Sequence, residues 1–80
     1  MKVYTISKFG LAKLLNCVDQ RGKVLSIRMR KLHLTDENII AMGFETDYFK
    51  KKRVFGFPDS KKIIDFFQFE ESELEEIKHL

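Results

Sequence analysis

Apolar positions along the 80-residue chain switch period several times, and each switch marks a predicted element. In "KVYTI", 2–6, β-branched and aromatic residues alternate with others, which predicts a short strand. Ser7 then stands where a helix cap is needed. Leu11, Leu14, Leu15 and Val18 recur at helical spacing, so a helix is expected over about 8–17. "DQRG", 19–22, is turn chemistry.

The next stretch, "KVLSIRMRKL" at 23–32, fits two periods. Leu25, Ile27 and Met29 alternate with Ser26, Arg28 and Arg30, as on a strand. Leu25, Met29 and Leu32 also fit one helix face. The strand accounts for the alternation better and is the expectation here. A variant of it makes "LLNCV-DQRG-KVLSI" a single β-hairpin.

"LTDENIIAMGF", 34–44, carries the fullest set of helix signals. Thr35 is an N-cap, and Asp36 and Glu37 suit the positive end of the helix dipole. Leu34 and Ile39 can form a hydrophobic staple, and Gly43 supplies a left-handed stop on which Phe44 folds back. A helix over 36–42 follows.

Two strands, about 44–49 and 53–57, are expected next, with the run Lys50, Lys51, Lys52, Arg53 as the bend of a basic hairpin. Pro58 ends the second strand, and Asp59 or Ser60 starts a helix whose apolar face is Ile63, Ile64 and Phe67. "SELE", 72–75, reads as a capping box opening a last helix with a narrow stripe, Leu74 and Ile77, and a basic end at Lys78 and His79. The sum is an α+β fold: one small domain over 1–80 with short helices, a small antiparallel sheet including the basic hairpin, and an acidic C-terminal helix at 70–80.

Composition narrows the classes. One cysteine, Cys17, permits no internal disulfide, which suits a reducing compartment, and the thiol is expected to be buried and inert. The apolar N-terminus is broken by Lys8 and Lys13 and lacks a signal-peptide core, and no run reaches the ~20 residues of a membrane span. A cytoplasmic protein without a membrane partner is the expectation. The net charge of +3 hides an asymmetry: residues 1–62 carry +8 and residues 63–80 carry −5. Either the tail neutralises the body, or the body meets a polyanion.

No catalytic set is visible. His33 and His79 have no metal-ligand spacing around them, so His33 reads as structural and no metal site or cofactor is expected. The glycines form no phosphate cradle, and the carboxylates of "FEESELEEI" share one helix instead of facing across a cleft. The reading is a binding module, not an enzyme.

Two basic clusters carry that reading: Lys50, Lys51, Lys52 and Arg53, and then Arg28, Arg30 and Lys31. On a strand Arg28 and Arg30 point to one side, about 7 Å apart, near the spacing of successive phosphates. The rings Tyr48, Phe49, Phe55 and Phe57 flank the lysine run, and any that faced outward could stack on bases. Nucleic acid is the first partner expected, DNA ahead of RNA. The alternative is a protein-interaction module or inhibitor that docks on a host protein through its acidic C-terminal helix or a sheet edge.

The order "SKFGLAKLLN", "GKVLSIRMRKL", "TDENIIAMG", "DYFKKKRVFGF" resembles a winged-helix DNA-binding domain, and "ISKFGLAKLLN…KKRVFGFPDSKKIIDFF" is similar to the excisionase and MerR-type members. The resemblance implies DNA contact through a wing at Lys50–Arg53, with Arg28 and Arg30 near the recognition helix. Separately, "LTDENIIAMGFE" is similar to a segment of small phage-type proteins without assigned activity.

Overall fold

The computed structural model describes residues 3–78. Its chain runs β1 (Ile6–Ser7), α1 (Lys8–Leu14), α2 (Ser26–Leu32), α3 (Asp36–Met42), α4 (Thr46–Lys51), β2 (Val54–Phe55), α5 (Asp59–Phe67) and α6 (Glu71–Ile77). This is a small α+β domain, as expected. The sheet is a single antiparallel pair, with Ile6 opposite Phe55 and Ser7 opposite Val54. Of the first predicted strand, whose Lys2 lies outside the described residues, only Ile6 among the described residues pairs with β2, followed by Ser7.

Local chemistry explains most boundaries. Ser7 caps α1 by accepting the Gly10 amide at 2.9 Å. The helix stops earlier than its apolar stripe, because Asn16 turns left-handed at φ 57° and the Cys17 amide donates back to the Ala12 carbonyl at 2.8 Å. Asparagine tolerates that region better than most residues. Around the turn, the Asp19 carboxylate accepts the amides of Arg21 and Lys23. The hairpin variant survives as one isolated bridge, Val18 to Val24. Cys17 itself is buried as a free thiol.

α3 matches its signals residue for residue. Thr35 accepts the Asn38 amide, Gly43 sits at φ 97°, and the Phe44 amide closes on the Ile39 carbonyl at 3.1 Å. Leu34 and Ile39 are both buried, as a staple requires. At the other end of the chain, the last helix is capped two residues earlier than expected. Glu70 and Glu73 form the reciprocal box, in place of Ser72 and Glu75. Its stripe, Leu74 and Ile77, is buried as predicted, while His79 lies outside the described residues.

Two expectations fail. Residues 26–32 form a helix, α2, and not a strand. Arginine, methionine, lysine and leucine are strong helix formers, and among the described residues no strand lies alongside to pair with this segment. Met29 is buried and Ile27 is 62% exposed, so the alternating trio does not share a face. The basic hairpin is also absent. Residues 46–51 form α4, with Asp47 in the first turn and Lys50 and Lys51 in the last, an order the helix dipole favours. Short β2 pairs with β1 and not with the segment before it.

The core is one cluster spanning all the helices, with Phe49 and Phe55 the largest fully buried side chains. Their rings stack at 4.9 Å between centroids, and Phe44 packs against both. α6 closes the other side of α1. An added Cβ on Gly10 would lie 3.2 Å from Ile77 Cδ1, so glycine there lets the two helices meet. Tyr4 ties the same helix down by donating to Glu75. Among the described residues no helix is long and apolar enough to cross a membrane.

Candidate functional site

One residue of the second basic cluster, Arg30, meets the lysine run near the start of α1. Lys8, the first residue of that helix, donates its amide to the Arg53 carbonyl at 2.8 Å. Its side chain and that of Phe9 are half-buried and form a divide between two clefts. One cleft, of about 450 Å³, is lined by Lys8, Arg30 of α2 and Lys50 of α4, above buried Met29, Leu34 and Ile39. The other is lined by Lys8 with Lys50, Lys51, Lys52 and Arg53. Cations from α1, α2 and the end of α4 therefore share one continuous surface.

Each sequence-predicted residue has a definite place. Lys50 reaches back to Asp36 at the start of α3, a 2.9 Å ion pair that braces α4 and partly offsets the charge. The pair is exposed, so its worth is roughly 0–1 kcal/mol. Lys51 is exposed on the last turn of α4, and Lys52 lies with its ammonium 5.3 Å from the Tyr48 ring centroid. Arg53 is exposed at the entry to β2.

Arg28 and Arg30 do not point to one side. Two residues apart on a helix they diverge by about 200°. Arg30 faces the cleft, and Arg28 and Lys31, also exposed, are not among its lining residues. The rings separate as well. Phe49 and Phe55 are core, whereas Tyr48 and Phe57 are exposed. Tyr48 is engaged by its hydroxyl with Asp59.

Lys8 is the residue that sequence reasoning missed. Its ammonium stands 4.8 Å from the Phe49 ring centroid and 5.8 Å from that of Phe55. Burial lowers its pKa from the ordinary lysine value. No carboxylate pairs with it or with Arg30 among the described residues. One signal was available: α1 opens with a lysine and has no acidic residue in its first turn, against the dipole preference.

The acidic helix lies elsewhere. Gly10, which faces α6, is about 200° around α1 from Lys8. Glu73 and Glu76 line a different cleft with Lys13, Asn16 and Asp19. The tail thus docks on the body without contributing to either Lys8 cleft. Among the described residues no group of three or more histidine, cysteine or carboxylate side chains could hold a metal ion. No family model matches the chain, and no curated protein or solved structure matches it.

Proposed function

We propose that this protein is a small nucleic-acid-binding module that grips the phosphate backbone of DNA across the surface around Lys8. The observation that carries the reading is the convergence of Lys8, Arg30 and Lys50 on one cleft, continuous with Lys51, Lys52 and Arg53. Cations drawn from three separate elements and left clear of the acidic helix form the footprint expected of a backbone binder.

A second feature favours duplex DNA. α3 and α4 are joined by only Gly43, Phe44 and Glu45, with Gly43 left-handed. A three-residue, glycine-containing turn is the length of link found in helix-turn-helix units, whose second helix enters the major groove, and it supports that role for α4. α4 presents Asp47, Tyr48, Lys50 and Lys51 outward, with Phe49 anchoring it inward. This reading keeps the DNA contact implied by the winged-helix resemblance but assigns Lys50–Arg53 to the end of a helix in place of a wing. The same reading makes the chain a binding module without catalysis of its own. The glutamates of α6, whose apolar stripe is spent in the core, serve solubility and orientation instead of docking.

Electrophoretic or anisotropy titration of duplex DNA at low and moderate salt tests the proposal. Neutralising about four phosphates gives a log–log salt slope of roughly −3 to −4. Binding indifferent to salt, or none at low salt, overturns it. Preference for single strands or RNA of equal charge removes the duplex reading of α4.

A further inference from the structure

We infer that the cleft between α1, α2 and α4 is a binding site for a small amphipathic carboxylate, with the acid held by Lys8 and Arg30 and the apolar body laid over Met29, Leu34 and Ile39.

Three observations meet there. The cleft of about 450 Å³ has the size of a small-molecule site. Its floor is apolar: Met29, Leu34 and Ile39 are buried core residues, and Phe9 and Val24 stand at the sides. Its cations are uncompensated, because neither Lys8 nor Arg30 has a carboxylate partner among the described residues and only Lys50 is paired, with Asp36.

A half-buried ammonium over apolar surface is costly unless an anion arrives. Its lowered pKa reports that cost. A hydrophilic anion would answer the charge but leave the half-buried apolar sides at Phe9 and Val24 uncovered. A neutral apolar molecule would cover the apolar walls but leave the ammonium with only its ring contacts to Phe49 and Phe55. Only a ligand with both features removes both penalties, and a charge-assisted hydrogen bond from Arg30 or Lys8 fixes its orientation.

The test is an amide NMR titration of the full chain with octanoate, below its micelle concentration, and in parallel with 1-octanol and with acetate. Octanoate is expected to shift the amides of Phe9, Met29 and Leu34 saturably. 1-Octanol, which has the body without the charge, and acetate, which has the charge without the body, should each bind about tenfold more weakly or less well still. Lys8→Gln and Arg30→Gln should each weaken octanoate about fivefold or more. If Lys8→Gln does not fold, the exposed Arg30→Gln decides alone.

Equal binding of octanoate and octanol, shifts centred away from the cleft, or indifference to Arg30→Gln overturns the inference. It shares Lys8 and Arg30 with the nucleic-acid reading, but the two titrations separate them. A chain that takes octanoate but no DNA keeps this site and loses that function, and the converse result does the reverse.

Discussion

The backbone amide of Lys8 donates to the carbonyl of Arg53, and this one bond at 2.8 Å sets the first cation of α1 beside the last cation of the lysine run. It lies one step beyond the short β1–β2 pair, between the residue that follows β1 and the residue that precedes β2.

The two arginines of α2 should separate functionally. Arg30→Gln should lower affinity for duplex DNA and reduce the log–log salt slope by about 0.9, the value of one phosphate contact. Arg28→Gln, on the far side of α2, should change neither. Side-by-side titrations at two salt concentrations check this, and equal losses would mean that the cleft is not the contact surface.

The adjacent rings of α4 should behave oppositely in stability. Phe49 is 1% exposed and stacks on Phe55, so Phe49→Ala should cost about 3–5 kcal/mol in chemical denaturation. Tyr48 is 44% exposed, and Tyr48→Ala should cost about 1 kcal/mol or less, chiefly its bond to Asp59.

The stop of α3 needs glycine. Gly43→Ala places a side chain at φ 97° and should destabilise by about 1 kcal/mol or more. Gly56→Ala meets nothing within 4 Å and is not left-handed, so it should stay within about 0.5 kcal/mol of the parent. Thermal melts of the two variants give the comparison.

Lys8 should make stability rise with pH. Burial lowers its folded-state pKa below the unfolded value of about 10.5, so above that lowered pKa the unfolded chain binds the extra proton. Stability contributed by proton release is absent at neutral pH, grows as pH passes the folded pKa, and levels off near the unfolded one. In Lys8→Met that contribution to the rise should vanish and the neutral-pH melting point should increase, while affinity for DNA falls. Circular-dichroism melts at several pH values, for parent and variant, test the sign.

How far the sequence reached follows from the range of the forces involved. α3 was readable because Thr35, Asp36, Gly43 and the Leu34–Ile39 pair all act within one short segment. The buried stripe of α6 was readable for the same reason. α2 was not, because its alternating residues satisfy strand and helix periods over so short a span, and α4 was not, because its six residues are too few to show a period. The choice fell to which side chain the core accepts: Met29 and Phe49 go in, Ile27 and Tyr48 stay out. The basic clusters were visible as charge, but their meeting depends on contacts between distant segments. Lys8 escaped notice because its one local signal, a lysine opening α1 against the dipole preference, says nothing of the cleft that it lines.

The seat of Ile77 against Gly10 has a last consequence. The carboxylates of α6 are fastened behind α1, and ammonium and guanidinium groups stand in front of it. In the field of a polyanion such a body feels a torque before it makes contact and arrives already turned the right way round, an advantage expressed in how fast it associates more than in how long it stays.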